Sequence, residues 1–467
     1  MLEKTRKIPH LRFYCLIVVL IALIFARYSF GIDVPRLIIS GVIICIAVFG
    51  NRSEVIAASL CCIPLHEAVD FYVTIVFCTA LLVVKSFPRL KISYPIFLGI
   101  IMICWEIIHC LFTDFGIMEL VAPLIPIIFV VASLSVDLSD IEYPFVVRSI
   151  AIMTAAMCAA TLLNSIVRAG FNFSSAIADL QRLGVLEEGE TVLGGRINPN
   201  TLGVIVVLMM TGILHLRSLG KAKIIDYVLA VFLLTFGVLT SSRTFLVCLL
   251  LALLLLIMGQ QGSFFKKIKL LAVILLFAVV TLFILTRLFP SVLEYYIGRF
   301  DSDDITTGRD KLMIIFHQFI ISNSKVLLFG IGVTDFGDKV TNVYDVANNV
   351  PHNSIQEIII AWGIPGLIML GCLIWLIIVN ARRKNKQFTI LNFIPLIIIL
   401  VKSMAGQLLT SGYSMLALIF SYLSMCQNFK IDRNDASFLI DDVNLSPDVA
   451  TQTSDEGELR EVSSLKP

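Results

Sequence analysis

Charge is scarce in this sequence. Asp, Glu, Lys and Arg make up 15% of its 467 residues, where a soluble domain carries about 25%. Hydrophobic residues reach 58%, and mean hydropathy is +0.93. A soluble fold of this length would still need a polar shell. Soluble enzymes, nucleic-acid binders and disordered chains are therefore excluded. A polytopic membrane protein remains, in which lipid meets the apolar faces. The net charge of +2 points to no partner, but its distribution is informative.

Other signatures are also missing. The eleven cysteines all lie in apolar runs, and no C-x-x-C spacing occurs. They read as small packing residues rather than a disulfide framework or a metal site. There is no P-loop, and the Gly330-x-Gly332 pair is too short for a dinucleotide fingerprint. No internal repeat or half-to-half symmetry of the transporter kind is visible.

Long apolar runs are what the chain does have. They fall at about 13–26, 37–49, 55–65, 69–84, 94–112, 118–136, 145–167, 199–216, 226–240, 243–259, 268–288, 353–379, 388–408 and 412–427. A span needs ~17–25 residues, so the list predicts an all-α bundle of about 12–14 transmembrane helices. The runs 37–49 and 55–65 are short and read as a kinked pair or a re-entrant element. The first run follows four bases in residues 1–12 and reads as a retained span rather than a cleaved signal. Residues 1–427 then form the membrane domain, and 428–467 a disordered cytoplasmic tail.

Lys and Arg in short loops set the orientation. Residues 1–12, Lys85/Arg89/Lys91, Arg217/Lys221/Lys223, Lys266/Lys267/Lys269 and Arg382/Arg383/Lys384/Lys386 fall on one side, which is therefore cytoplasmic. Asp137, Asp140 and Glu142 lie on that side with no base before Arg148, against the trend. The long loops at about 168–198 and 290–352 lie outside. The second contains an amphipathic helix, with Thr307 as N-cap, Asp310 at N3 and Leu312, Ile315, Phe316, Phe319 and Ile320 on one face. It ends in the turn at 328–332.

Four clusters gather at the outer face. In Gly194-Gly195-Arg196-Ile197-Asn198-Pro199-Asn200, Asn198 caps a helix that begins at Pro199, and Arg196 stands beside its N-terminus. In Ser241-Ser242-Arg243-Thr244, Arg243 is the base of a tight turn and needs headgroups, an acid or a bound anion. Arg309 follows Thr307-Gly308, with Arg299 nearby among Asp301, Asp303 and Asp304. Pro351-His352-Asn353-Ser354 offers a titratable imidazole, and Ser354-x-x-Glu357 reads as a capping box. Interfacial anchoring, headgroup contact, surface pairing and helix capping are the respective structural alternatives. Glu106, His109, Arg148 and Lys402 are the ionisable residues inside spans; any of them could line one cavity, but Glu106 and Lys402 are expected to pair. An outer-face enzyme has no access to cytoplasmic nucleotides, so an activated donor must already sit in the membrane.

These elements resemble the O-antigen polymerase and ligase superfamily of bacterial surface-polysaccharide assembly. The resemblance rests on the Arg196/Asn200 segment, Ser242-Arg243-Thr244, Thr307-Gly308-Arg309, the Gly330-x-Gly332 turn, and His352-Asn353 followed by Trp362-Gly363-Ile364-x-Gly366. They occur in the family's order over about residues 190–380. The resemblance implies glycosyl transfer at the outer leaflet of the inner membrane, without metal, nucleotide or other cofactor. The donor would be a glycan on undecaprenyl diphosphate and the acceptor another glycan. Flippase and chain-length regulator proteins would be its partners. Arg196 and Arg243 would hold the diphosphate, and His352 would activate or hold the acceptor hydroxyl. Arg309, Arg299, Asn200 and Asn353 would contact substrate. Polymerisation of repeat units is the favoured reaction. Ligation of finished glycan to a lipid or protein is the alternative, and flipping of lipid-linked glycan the reading of another class.

Overall fold

The computed structural model describes residues 10–87, 90, 94–111, 117–178, 180, 183, 198–259, 264–301, 309–333, 351–385 and 388–427. Among them lie eighteen helices. The first seven are α1 Leu11–Tyr28, α2 Arg36–Phe49, α3 Arg52–Leu65, α4 Phe71–Lys85, α5 Tyr94–Cys110, α6 Ile117–Ser135 and α7 Tyr143–Arg168. Next come α8 Phe173–Ala178, α9 Pro199–Ser218, α10 Ile224–Leu239, α11 Arg243–Gly259, α12 Phe264–Leu288 and α13 Pro290–Asp301. The last five are α14 Arg309–Ser322, α15 Ser324–Phe329, α16 Ser354–Lys384, α17 Ile390–Met404 and α18 Gly412–Met425. Each apolar run of the sequence is helical, that at 353–379 being broken at Gly363, and the protein is an all-α polytopic membrane protein. α1, α7, α9 and α16 are long and apolar enough to cross a bilayer, and eight further apolar helices are shorter. The tail from residue 428 lies outside the described residues.

α2 and α3 are separate helices of 14 residues each. At 1.5 Å per residue each is about 21 Å long, short of the ~30 Å hydrocarbon core. Asn51 and Glu54 form a capping box between them, with reciprocal bonds of 3.0 and 2.9 Å. Thirteen of the 14 residues of α3 are buried, as are thirteen of the 14 of α18. These two helices and α9 form the centre. α18 is hydroxyl-rich, and Ser421 bonds back to the Ala417 carbonyl at 2.8 Å. Ser414 and Ser424 instead meet Lys402 and His215 on neighbouring helices, each at 2.9 Å. The apolar surplus faces outward, on residues such as Phe77, Leu250 and Phe283. That surface belongs to lipid.

The helices alternate between two ends. At one end the acids that opposed the orientation pattern have partners. Arg52 pairs with Asp140 at 2.7 Å, Lys384 with Asp137 at 3.2 Å, and His10 with Glu142 at 3.2 Å. His10 also meets Glu54 at 2.7 Å, and Arg148 meets Asp226 at 2.8 Å. The missing bases come from distant parts of the chain.

At the other end the large loop is fastened by a break in α16. Gly363 has φ 66° and ψ −162°, and Pro365 follows it. Pro365 has no N–H for the Ala361 carbonyl. Gly332 supplies one at 2.8 Å, and Ile331 donates to the Ile360 carbonyl at 2.8 Å. A Cβ on Gly330 would come within 2.3 Å of the Ala361 oxygen, so this docking needs glycine there.

Two expectations change here. α14 buries Phe316, Phe319 and Ile320 as predicted, but it ends at Ser322. The short helix α15 then leads to Gly330, because Asn323 interrupts the run. Thr307 lies outside the described residues. Glu106 does not pair with Lys402. Its carboxylate accepts from the Trp362 indole at 2.5 Å and the Val333 amide at 3.0 Å. His109 meets the Phe329 carbonyl at 2.7 Å. Both residues serve the docked loop.

Candidate active site

The clusters at the second end are built from helix starts. Asn198 caps α9, its side chain accepting from the Asn200 amide at 2.9 Å, with Pro199 as first helical residue. This is the predicted cap. Asn200 reaches across to the α10–α11 turn, accepting from the Ser242 hydroxyl at 3.0 Å. Ser242 in turn accepts from the Phe245 amide at 3.2 Å and so caps α11. The turn itself is buried against α9 at Gly203, where a Cβ would lie 2.9 Å from Phe245 Cβ. Ser241 takes a left-handed φ of 48° to close it. Arg243 is the first residue of α11 and is half-buried.

The start of α16 differs from its prediction. Asn353 is the cap, accepting from the Ile355 amide at 2.9 Å and the Gln356 amide at 3.3 Å. Ser354 donates instead to the Gly406 carbonyl at 3.0 Å. Glu357 is not in a capping box. It is fully buried, and it accepts from the amides of Leu408 at 2.8 Å, Leu409 at 3.2 Å and Thr410 at 2.8 Å. The Thr410 hydroxyl donates as well. A buried carboxylate needs several donors, and this loop presents them all within three residues.

That loop, residues 405–411 between α17 and α18, is the centre of the site. Asn353 donates to the Met404 carbonyl at 3.3 Å, and Arg309 to the Ala405 carbonyl at 3.4 Å. Lys402 lies beneath, 8% exposed. Its ammonium donates to the Gln407 carbonyl at 2.8 Å and the Ser414 hydroxyl at 2.9 Å, and sits 4.6 Å from the Tyr413 ring centre. These partners are neutral, so the positive charge is held without being cancelled.

A cleft of about 160 Å³ opens between these elements. Asn200 and Thr244 line one side, Arg309 and His352 another, and Lys402 with Gln407 the floor. Among the described residues no carboxylate lines it. His352 is half-buried, and its pKa is lowered, first by burial and then by the Arg309 charge. It is therefore neutral at neutral pH and able to accept a proton. Among the described residues no three His, Cys, Asp or Glu side chains gather in a metal-binding group.

Asn200, Arg309 and His352 are thus brought together as the sequence suggested. Asn353 lies behind them as the α16 cap. Arg243 stands beside the cleft, one residue before Thr244, which lines it. Arg299 belongs to α13, and its side chain lies outside the described residues, as does all of Arg196. Sequence reasoning noted Lys402 but favoured a pair with Glu106 over a place in a cavity, and it missed the 405–411 loop. One signal was available: a lysine near the end of a very apolar run, followed by a short stretch rich in Gly, Gln, Thr and Ser.

Residues 228–371 match the family model described as O-Antigen ligase. The matched segment runs from α10 into α16 and carries Arg243, Arg309, His352, Asn353 and Gly363. It supports the O-antigen polymerase and ligase superfamily. Asn200 and Lys402 lie beyond the matched segment. No curated protein matches the chain.

Proposed function

We propose that the protein is a membrane glycosyltransferase that joins undecaprenyl-diphosphate-linked oligosaccharide repeat units into a surface polysaccharide. One observation carries the reading: a cleft that brings Arg309, Lys402 and neutral His352 together, with no acid among its described lining residues. A diphosphate leaving group needs fixed positive charge, and guanidinium forks and a desolvated ammonium supply it. The basic loops at the opposite end orient that end to the cytoplasm, so the cleft opens at the outer leaflet.

In this reading the acceptor hydroxyl oxygen attacks the donor's anomeric carbon. The bond from that carbon to the phosphate oxygen breaks, and polyprenyl diphosphate leaves with the electron pair. His352 takes the hydroxyl proton. Lys402, Arg309 and Arg243 stabilise the charge that develops on the diphosphate, with Arg196 joining them. Asn353 fixes the backbone that carries His352. Metal and nucleotide have no part in it.

The matched family model is described by ligation, which favours transfer of finished glycan to a lipid or protein acceptor as the second reading. Deleting the gene separates the two. In a polymerase mutant the surface glycan is reduced to single repeats. In a ligase mutant long chains stay on the lipid carrier. Single units trapped on the cytoplasmic side would overturn both in favour of flipping. Arg196→Ala, Arg243→Ala and His352→Ala are each expected to abolish transfer while the protein remains in the membrane. Full activity in all three sinks the assignment of the site.

A further inference from the structure

A second cleft, of about 460 Å³, lies against the first. Its lining includes Arg36, His66, Asp70, Tyr72, Gln407 and Tyr413. Gln407, Ser411 and Tyr413 line both clefts. Tyr413 is the partition. Its ring faces the Lys402 ammonium at 4.6 Å and the His66 ring at 4.9 Å.

The chemistry of the two clefts differs. Among its described residues the first has two cations and no acid, which suits an anion. The second sets Arg36 against Asp70 and adds neutral planar groups and ring faces. Arg36 and Asp70 do not form an ion pair with each other. Among the described residues neither the Arg36 guanidinium nor the Asp70 carboxylate has a hydrogen-bond partner. Asp70 is the N-cap residue of α4, where an Asp ordinarily accepts from the helix amides, yet it makes no such bond. Its backbone amide is held by Ser40 at 2.8 Å. A donor and an acceptor beside tyrosine rings match the alternating hydroxyls and apolar faces of a pyranose. Size agrees. Small-molecule sites measure about 300–1,000 Å³, so the first cleft is too small to hold both reacting sugars and the second is large enough for one partner.

We propose that this second cleft binds the acceptor glycan, a neutral oligosaccharide whose terminal hydroxyl passes by Gln407 and Ser411 toward His352. The assignment rests on the glycosyl-transfer reading above. It adds the place where the second substrate sits.

The test uses the full chain in phosphatidylethanolamine–phosphatidylglycerol vesicles. The probe is the oligosaccharide released by mild acid from the cell's own lipid-linked pool, stripped of lipid and diphosphate and carrying a diazirine. Irradiation is expected to label peptides containing residues 66–72 and 407–413, saturably. Label confined to other peptides, or no saturable label, overturns the proposal. In turnover, Asp70→Asn and Tyr72→Ala are expected to raise the acceptor half-saturation concentration about tenfold, the effect of one lost hydrogen bond or ring contact. The donor's value stays unchanged. No change, or an equal change for donor and acceptor, also overturns it. Labelling needs no turnover, so the two ideas fail separately. Labelled 66–72 without any transfer retains the cleft and refutes the glycosyltransferase. Transfer by a protein whose cleft stays unlabelled does the reverse.

Discussion

The two ends of the helix bundle treat charge in opposite ways. At the end bearing His10, Arg52 and Lys384, cations meet carboxylates: Arg52 with Asp140, Arg148 with Asp226, Lys384 with Asp137. At the cleft end, the buried charges meet dipoles. Lys402 is held by a carbonyl and a hydroxyl. Glu357 is held by three backbone amides and a hydroxyl. Pairing cancels a field and fastens loops together. Holding by dipoles fixes a charge in place and leaves its field intact. A site for an anionic leaving group requires the second arrangement, because a cation already matched to a carboxylate has little left to offer.

One substitution made at both ends gives the largest contrast. Lys402→Met is expected to lower transfer at least ~100-fold, the usual loss when a fixed donor to developing negative charge is removed. Lys384→Met keeps activity near that of the natural protein, since its pair with Asp137 is partly exposed, at 28% and 39%. Initial rates with the lipid-linked donor decide it. Equal losses at the two ends would falsify the distinction drawn between them.

Next in size is Glu357→Gln. The replacement keeps the shape but turns an NH₂ toward amide donors. Loss of charge-assisted bonds in a buried site costs on the order of 2–3 kcal/mol. The expected signs are a lower unfolding temperature in detergent and faster amide exchange at Leu408, Leu409 and Thr410. Unchanged exchange at these three amides would show that the 405–411 loop does not depend on the carboxylate.

Why some of this could be read from the sequence follows from range. Helices are local, and every apolar run became helical, with one broken at Gly363. The Asn198–Pro199 start was legible because cap and first residue are neighbours. Ser354-x-x-Glu357 had the same local form and misled, because Glu357 is drawn to amides some fifty residues onward. Glu106 and Lys402 were expected to pair because both are ionisable groups inside spans. Glu106 instead meets Trp362, and that choice depends on the break at Gly363 that lets the large loop dock. The acids at 137, 140 and 142 seemed unsupported because their bases are at 52, 384 and 10. Local spacing reveals caps and amphipathic faces. It carries no information on which buried charge meets which dipole across the bundle.

A smaller effect tests whether cleft charges act on one another. The His352 pKa is lowered by burial and by Arg309. In the proposed reaction its neutral form is the base, so activity is expected to fall as pH drops through a value below the ordinary imidazole 6.5. Arg309→Gln removes a cation that opposes protonation. The pKa then rises, and the acid limb of the rate profile moves to higher pH. Lys402 and Tyr413, which line the same cleft, remain in place. The sign for stability is the same. A lowered histidine pKa adds stability above the unfolded value, and that stability is lost as pH falls through the folded one. An acid limb unmoved in the variant would show that Arg309 does not act on His352.

The smallest effect belongs to the paired end. Asp140 is 41% exposed, and its partner Arg52 also donates to Ser86 at 2.9 Å and to the Asp137 carbonyl. With those bonds retained, Asp140→Asn removes the charge of a screened pair. The expected cost is under about 1 kcal/mol, and it shrinks further as salt is raised. Transfer rates should not change, because neither Asp140 nor Arg52 lines the cleft. The unfolding temperature at low and high salt checks the first point, and rates at both checks the second. A loss of transfer in this variant would mean that the two ends are coupled through the bundle, and that the pairing at 52–140 sets the geometry of the site as well as fastening a loop.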